Sequence, residues 1–255
     1  MGYLHEGHLS LIDIARKNAD RVIVTIFVNP TQFGANEDLD RYPVDREGDL
    51  SKCEAHGTDL VFWPEPGTIY ADDASVSVSE SLLSRGLCGS SRPVHFGGVC
   101  TVVTILFNLC QPQVAVFGEK DGQQLRIIRR LVRDLHIPVE ILSGPTHREA
   151  DGTAMSSRNA NLTPAQRAEA PALKHTLDHL VAAIASGSRS VAELKAEGAA
   201  QIERLSEGTL DYLEIVDNET LAPVSSVDAP VMIAIAVRFG GTRLIDNRSL
   251  EPTWT

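Results

Sequence analysis

Two histidines near the start of the chain have the spacing of a paired binding site. His5 and His8 are three residues apart at the beginning of a predicted helix, so their side chains share one face. Gly7 lets a ligand approach the backbone, and a helix N-terminus offers free N–H groups and a positive dipole end. Two imidazoles there can hydrogen-bond a phosphate whose charge shifts during transfer. The alternatives are a metal pair, which more often has i,i+4 spacing, and two surface histidines.

A lysine lies between a predicted strand and a predicted helix. At the carboxyl edge of a parallel sheet, Lys120 is placed to bind phosphate as a point charge. The neighbouring Asp121 can accept hydrogen bonds from ribose hydroxyls, as acidic residues do at strand ends in nucleotide-binding folds. The alternative for this segment is a solvated turn.

Further polar residues fall in loops. Ser156, Ser157 and Arg158 supply two hydroxyls and a guanidinium, which suit a clamp on phosphate. A helix N-cap cluster is the competing interpretation. Gln32 and Gln124 are neutral amides that can bind hydroxyl or carboxylate groups without adding charge, and the alternative for each is simple solvation at the surface.

The elements that must position these groups alternate along the first half of the chain. The predicted strands are 21–28, 59–63, 113–117 and 139–142, and the predicted helices are 9–18, 45–56, 98–110 and 122–135. Apolar strands separated by helices predict an α/β fold with a doubly wound parallel sheet, in which strand 21–28 is buried. Ligands bind such sheets at the carboxyl ends of the strands, where Gln32 and Lys120 fall.

The pattern changes near residue 150. The elements predicted there are helices at 164–186 and 190–206, and then strands at 209–216, 231–237 and 242–246. Helices followed by strands predict a separate, smaller α+β unit. We therefore expect two domains, residues 1–150 and residues 151–255.

Charge and composition exclude several classes of partner. The 255 residues include 23 Lys and Arg against 34 Asp and Glu, so the formal charge is 23 − 34 = −11, which argues against a nucleic-acid partner. No signal peptide is recognised and the apolar runs are too short to span a bilayer, so we expect a cytoplasmic protein with no membrane partner. The four cysteines lack a C-x-x-C pair and are expected to be reduced thiols rather than disulfides or zinc ligands.

The order of the motifs resembles one family. The matching segments are MGYLHEGHLSLI, IFVNPTQF, DLDRYP, RPVHFGGV, FGEKDGQQL, READG, MSSRN and LIDN, which extend over nearly the whole chain. They are similar to the pantoate–β-alanine ligase (pantothenate synthetase) family. That family belongs to the nucleotidyltransferases in which an HIGH-type motif and a KMSKS-like loop hold ATP. The resemblance implies a Rossmann-like fold of this type with a C-terminal lid.

The resemblance also implies a two-step reaction. The carboxylate of pantoate attacks the α-phosphate of Mg-ATP, giving pantoyl adenylate and pyrophosphate. The amine of β-alanine then attacks the acyl carbon, giving pantothenate and AMP. ATP is therefore an expected substrate and Mg²⁺ an expected cofactor, with pantoate and β-alanine as the other small-molecule partners and a homodimer as the assembly.

Each matched residue acquires an implied role. The catalytic set, expected at the phosphates, is His5, His8, Lys120, Ser156, Ser157 and Arg158. The ATP-binding set adds Met1, Gly118, Glu119, Asp121, His147 and Met155. Residues expected to hold pantoate or to lie near it are Gln32, Gln124, Asn29, Tyr42 and Arg92, and Asp49 matches a position near the magnesium ion.

The sequence also differs from the family pattern. The family has a strand and a helix before the first motif, and these are expected to be absent here. Val44, Ile105, Gly122 and His147 stand where other residue types are usual. Two alternatives to a working ligase stay open: a truncated or degenerate homologue that binds nucleotide without turnover, and a fragment of a class I aminoacyl-tRNA synthetase or another adenylyltransferase. The acidic charge argues against tRNA.

Overall fold

A computed structural model describes residues 2–34, 39 and 42–251, so Met1, an expected ATP contact, lies outside the described residues. The chain forms two compact units. The first comprises residues 1–119 and 123–145, and the second comprises residues 120–122 and 146–255. The segment that contains Lys120 therefore belongs to the second unit, although it lies within the first half of the sequence.

Helices and parallel strands alternate in the first unit. Its helices are α1 (Glu6–Asn18), α2 (Arg46–Ala55), α3 (Pro66–Ile69), α4 (Cys88–Ser91), α5 (His95–Cys110) and, from its second residue onward, α6 (Gly122–Asp134). Its strands are β1 (Ile23–Thr25), β2 (Leu60–Phe62), β3 (Val114–Gly118) and β4 (Glu140–Gly144). Short 3₁₀ turns follow two of the strands, Pro30–Gln32 after β1 and Glu119–Asp121 after β3.

The strands of this unit form two parallel pairs. β1 pairs with β2, and β3 pairs with β4. The α/β class predicted from the sequence is confirmed, but in the part of the chain that the structure describes the four strands are not joined into one ladder. The predicted strand 21–28 is longer than the observed β1, which has three residues; Val22, Ile26 and Phe27 of this run are buried as expected, whereas Ile23 is 43% exposed.

Helix α1 packs directly against β3 and β4, and this contact fixes the position of its first residues. Gly118 and Gly144 are register partners at the ends of the two strands. A side chain at Gly144 would collide with Leu11 of the helix, and Gly118 also faces Leu11. The missing side chains therefore let α1, with His5 and His8 at its start, approach the strand ends closely.

The second unit is an antiparallel sheet with helices. Its helices are α7 (Pro164–Glu169), α8 (Ala172–Ala185) and α9 (Val191–Ile202), and its strands are β5 (Gly208–Asp217), β6 (Val231–Phe239) and β7 (Thr242–Leu250), in the order β5-β6-β7. Every residue from Val231 to Val237 is buried, as expected for a central strand. Leu177 and Leu194, from α8 and α9, pack into the same core. The predicted strands of this unit are confirmed and form an antiparallel sheet.

One predicted helix is in fact two. The helix expected at 164–186 breaks between Glu169 and Ala172, because Pro171 lacks an N–H and its ring would clash with the carbonyl of the preceding turn. Within the described ranges, no helix is both long and apolar enough to cross a membrane.

The four cysteines carry thiols that differ in burial. Cys53, Cys88 and Cys100 are buried, and burial raises the pKa of the Cys100 thiol to about 11. A thiol with such a pKa is protonated at neutral pH and is a poor nucleophile.

Candidate functional site

The start of α1 brings the two histidines together. The rings of His5 and His8 stack with centroids 3.9 Å apart and planes 24° from parallel. Nδ1 of His8 lies 3.3 Å from the backbone nitrogen of His5 and accepts its N–H. In a neutral His8 the ring proton is therefore on Nε2, and this N–H is the group that His8 can donate to a ligand.

Helix α2 holds the loop that precedes these histidines. The carboxylate of Asp49 accepts the backbone N–H of Tyr3 at 2.7 Å and that of Leu4 at 2.6 Å. Lys52 Nζ donates to the carbonyl of Leu4 at 2.8 Å. Tyr3 has a φ of 57°, a left-handed conformation that costs a non-glycine residue about 1 kcal/mol. These three hydrogen bonds stabilise that conformation and thereby the start of α1.

Asp49 was expected near a magnesium ion. It is fully buried, and both of its carboxylate oxygens bind backbone N–H groups. Among the described residues, no group of three or more His, Cys, Asp or Glu side chains is arranged to hold a metal ion. The metal-pair alternative for His5 and His8 therefore has no third ligand within that part of the chain.

The 3₁₀ turn after β1 places Gln32. Asn29, which is buried, donates to Gln32 Oε1 at 3.3 Å and to the carbonyl of Gly98 at 3.1 Å. The side-chain oxygen of Asn29, Oδ1, accepts a hydrogen bond from the hydroxyl of Tyr70 at 2.7 Å. Burial raises the pKa of Tyr70 above its ordinary value of 10, and a phenol of this kind is a protonated donor at neutral pH. Asn29, expected near pantoate, thus orients the amide of Gln32.

The backbone of the same turn is fixed by the start of α5. Arg92 Nη2 donates to the carbonyl of Gln32 at 3.3 Å, and His95 Nδ1 lies 3.1 Å from the same oxygen. A Cβ at Gly98 would lie 2.6 Å from Thr31 O and from Gln32 N, so only glycine permits this approach of the helix to the turn. Arg92 therefore acts on the backbone of Gln32 in this structure.

Two adjacent glutamines on α6 have different environments. Gln124, the expected pantoate contact, is half-buried. Gln123 is buried, and its side-chain amide hydrogen-bonds three backbone groups that precede α5. Its oxygen accepts the N–H of Cys88, and its nitrogen donates to the carbonyls of Leu83 and Gly86. Sequence reasoning missed Gln123. The sequence did contain a signal for it, because Gln123 lies four residues before the apolar Ile127. At that spacing the two side chains share one face of the helix, and this face is buried.

The other expected substrate contacts of the first unit make local interactions. Tyr42 lies edge-on to the ring of Phe33, with centroids 6.3 Å apart. Gly118 ends β3, and the carboxylate of Glu119 accepts the hydroxyl of Ser143 at 2.9 Å.

Lys120 is part of the second unit and is half-buried. Its Nζ lies 3.8 Å from the carboxylate of Asp121, and its backbone carbonyl accepts the side-chain amide of Asn247 at 2.8 Å. The ammonium group is therefore held on a backbone that is itself fixed by the last strand, β7.

A short hairpin leads into the late serines. Met155 N–H donates to the carbonyl of His147 at 2.9 Å, which closes the hairpin, while the side chain of His147 is exposed. Ser156 caps the 3₁₀ turn Ser157–Asn161 by accepting the N–H of Arg158 at 3.3 Å. The capping interpretation of Ser156 is thus correct in this conformation. Ser157 is buried and Arg158 is half-buried.

Charged pairs brace this hairpin. Arg148 donates two hydrogen bonds, of 2.6 and 3.0 Å, to the buried carboxylate of Asp246. Arg167 binds the carboxylates of Glu149 and Asp151. The hydrogen bond from Arg167 is the main reason why the pKa of Asp151 falls to about 2. Sequence reasoning assigned no role to either pair, because a bidentate contact between distant residues leaves no local pattern.

The first unit carries a stacked histidine pair at a helix start beside parallel strands, and the second carries Lys120 and the serine turn. The fold places the chain in the α/β class of the solved pantothenate synthetases. Within that class, the chain belongs to the pantoate–β-alanine ligase family. The model of that family, described as pantoate-beta-alanine ligase, matches residues 1–249.

Relatives and solved structures agree with this family. A pantothenate synthetase from Desulfatibacillum aliphaticivorans is 48% identical over 252 residues, which cover 99% of this chain and 90% of the relative. The crystal structure of pantothenate synthetase from Thermus thermophilus superposes with a TM-score of 0.95 at 45% identity, covering 99% of this chain and 91% of that one. Pantoate–β-alanine ligase from Francisella tularensis, solved with β,γ-ATP and β-alanine, gives a TM-score of 0.75 at 32% identity, with coverages of 97% and 86%.

Proposed function

We infer that this chain joins pantoate to β-alanine at the expense of ATP, which is split into AMP and pyrophosphate. The observation that carries this function is the family match over residues 1–249, which includes both the histidine pair and the serine turn. The Francisella relative, which was solved with β,γ-ATP and β-alanine, supports ATP and β-alanine as two of the substrates.

We propose that the reaction passes through pantoyl adenylate. A carboxylate oxygen of pantoate forms a bond to the α-phosphorus while the bond from that phosphorus to the pyrophosphate oxygen breaks. The amine of β-alanine then forms a bond to the acyl carbon, the acyl–oxygen bond to AMP breaks, and the amine loses a proton to solvent. Negative charge builds on pyrophosphate oxygens in the first step, so donors placed at those oxygens lower its barrier.

His8 is the best-defined donor of this kind. In a neutral His8, Nδ1 accepts the N–H of His5 and the ring proton lies on Nε2, from which it can be donated to a phosphate oxygen. His5 stacks on His8 and restricts its ring. We propose that both contact the phosphates, and that Lys120 supplies the positive charge there.

The remaining ATP contacts are assigned by family resemblance. Ser157 and Arg158 are proposed to close over the phosphates, with Ser156 shaping their turn as its cap. The residues proposed to line the rest of the nucleotide site are Met1, Gly118, Glu119, Asp121, His147 and Met155.

Pantoate is proposed to bind at Gln32 and Gln124. The amide of Gln32 is oriented by Asn29, and its backbone is fixed by Arg92. A neutral amide can hydrogen-bond the hydroxyl and carboxylate groups of pantoate without neutralising the carboxylate that must attack phosphorus. Tyr42 is proposed to lie nearby.

Magnesium is proposed to enter with ATP. Mg²⁺ usually binds substrate phosphates and waters together with one or two carboxylates, not an all-protein cage. Asp49 does not fit as a direct ligand in this conformation, because it is fully buried and both oxygens bind backbone N–H groups. We assign it instead to holding the loop before His5.

A homodimer is also proposed. Ile23 and Leu60 are register partners on β1 and β2, and they are 43% and 52% exposed. Adjacent exposed aliphatic side chains on a strand pair favour burial against another chain. Light scattering on the protein as it elutes from a size-exclusion column should give twice the 27.6 kDa chain mass. A monomeric mass at micromolar concentration would contradict the dimer.

Product analysis tests the proposed reaction. The intact protein is incubated with Mg-ATP, pantoate and β-alanine, and the products are separated by mass spectrometry. We expect pantothenate, AMP and pyrophosphate in equal amounts. Folded protein that binds ATP and forms none of them would instead support a nucleotide binder without turnover, and ADP with phosphate would indicate different chemistry.

A further inference from the structure

Two adjacent residues of β7 hold two different parts of the second unit. The amide of Asn247 donates to the carbonyl of Lys120 at 2.8 Å. The carboxylate of Asp246 accepts two hydrogen bonds from Arg148, at 2.6 and 3.0 Å. The backbone N–H of Asn247 donates to Asp246 Oδ1 at 2.8 Å, so the two residues are themselves linked. The lysine segment and the serine hairpin are thus tied to consecutive positions of one strand.

The strand that supports this pair is buried. Asp246 is 3% exposed and stands opposite Ile235 of the central strand, and Asn247 stands opposite Ala234. Both partners on β6 are buried. A bidentate pair between a guanidinium and a buried carboxylate fixes orientation as well as distance.

Arg148 transmits this support to the serine turn. It also donates to the carbonyl of Gly152 at 3.1 Å and is bridged to Ala154, so it spans the hairpin that ends at Ser156. The following 3₁₀ turn, Ser157–Asn161, packs against β7 as well.

Gly122 leaves room for the amide of Asn247. A Cβ at this position would lie 2.8 Å from Asn247 Oδ1 and 3.0 Å from the sulfur of Met232. The absence of a side chain, a departure of this sequence from the family pattern, therefore accommodates the bond between Asn247 and Lys120.

We propose that Asp246 and Asn247 are positioning residues for adenylate formation. Asn247 sets the position of Lys120 through its backbone carbonyl, and Asp246 sets the serine hairpin through Arg148. This role rests on the proposed function, because it assumes that Lys120 binds the phosphates of ATP. Both residues act through their neighbours and not by touching the substrate.

A double-mutant cycle on ATP affinity tests the link to Lys120. Calorimetric titration with Mg-ATP compares the intact wild-type protein, Asn247→Ala, Lys120→Ala and the double variant. We expect Asn247→Ala to weaken ATP binding about fivefold in the wild-type background, a change typical of one hydrogen bond, and by less than about twofold when Lys120 is already alanine. Equal losses in both backgrounds, or none in either, would overturn the proposal.

Further variants separate positioning from simple stability. Asn247→Asp keeps the shape but removes the donor, so it should lose as much ATP affinity as Asn247→Ala. Arg248→Gln, at the exposed next position of β7, should bind ATP like the wild type. A lowered melting temperature with wild-type ATP affinity in both Asn247 variants would mark a structural role only and contradict the inference.

Failure of the positioning role and failure of the proposed ligase function give different results. Wild-type protein that forms pantothenate while the cycle shows no coupling would reject only the positioning role. Wild-type protein that shows the coupling but forms no pantothenate would reject the ligase function and retain the link between Asn247 and Lys120.

Discussion

The carboxylate of Asp49 accepts the backbone N–H of Leu4 at 2.6 Å, one residue before His5, which caps α1. Because Asp49 is fully buried and also accepts the N–H of Tyr3, Asp49→Ala leaves two backbone donors without an acceptor. We expect this change to lower the free energy of unfolding by about 3 kcal/mol and to reduce the rate of adenylate formation. Urea unfolding measures the first effect. Glu47→Ala, at an exposed position of α2, should change stability by less than about 0.5 kcal/mol, and similar losses in both variants would contradict the anchoring role.

His8 should act mainly in the transition state. His8→Asn places an amide near the position of Nδ1, whereas His8→Gln reaches toward that of Nε2, the proposed donor. We expect His8→Asn to slow adenylation about 100-fold with little change in ATP affinity, and His8→Gln to retain about tenfold more activity. Single-turnover pyrophosphate release and ATP titration provide the two measurements. A parallel loss in ATP affinity would make His8 a ground-state contact.

Lys120 should behave differently from His8, because a fixed positive charge attracts the phosphates already in the bound substrate. We expect Lys120→Ala to weaken ATP binding and to slow turnover, each by about tenfold or more. Lys195→Ala, in the same unit, removes a lysine paired with Glu214 and should leave both unchanged. ATP affinity equal to the wild type would remove Lys120 from the phosphate site.

Two adjacent glycines of α5 offer a matched steric test. Gly98→Ala puts a methyl group 2.6 Å from backbone atoms of Thr31 and Gln32, whereas a Cβ at Gly97 meets nothing within 4 Å. We expect Gly98→Ala to lower the free energy of unfolding by about 1–3 kcal/mol and to raise KM for pantoate through the displaced Gln32. Gly97→Ala should leave stability unchanged or raise it by up to about 1 kcal/mol, since alanine favours a helix. The reverse order would contradict the close approach of the turn to α5.

The pair formed by Asp151 and Arg167 predicts a contribution to acid sensitivity. The hydrogen bond from Arg167 holds the pKa of Asp151 at about 2 in the folded chain, below its ordinary value of 3.8. A lowered folded-state pKa stabilises the fold above the unfolded value, and this stabilisation is lost as the pH falls from about 4 toward 2. Because Asp151 is substantially exposed, we expect the pair to contribute only about 1 kcal/mol to the free energy of unfolding at pH 7. Asp151→Asn should therefore be less stable than the wild type at pH 7, and the difference should shrink by about half at pH 3. A difference independent of pH would contradict this assignment.

Local patterns predicted much of the fold. The alternation of apolar runs with helical spacing indicated the α/β class and most helix positions, because both signals depend on residues a few positions apart. The three-residue spacing of His5 and His8 likewise predicted a shared helix face, and their rings stack in the structure. The break at Pro171 was visible too, but the Ala-rich pattern on both sides favoured one helix.

Contacts between distant residues could not be predicted in this way. Asp49 binds a backbone group 45 positions earlier, and Asn247 binds one 127 positions earlier. Neither contact depends on a local sequence pattern, because hydrogen bonds to backbone groups are nearly independent of the residue type that carries them. The supports of the candidate site therefore became visible only in the folded chain, whereas the groups proposed to touch substrate were visible as motifs.

Exchange of labelled pyrophosphate into ATP tests adenylate formation most directly. The intact protein is incubated with Mg-ATP, labelled pyrophosphate and pantoate, in the absence of β-alanine. Reversible formation of pantoyl adenylate predicts label in ATP only when pantoate is present, and a His8→Asn protein should show about 100-fold slower exchange. Folded protein that binds ATP but incorporates no label with pantoate would contradict the account.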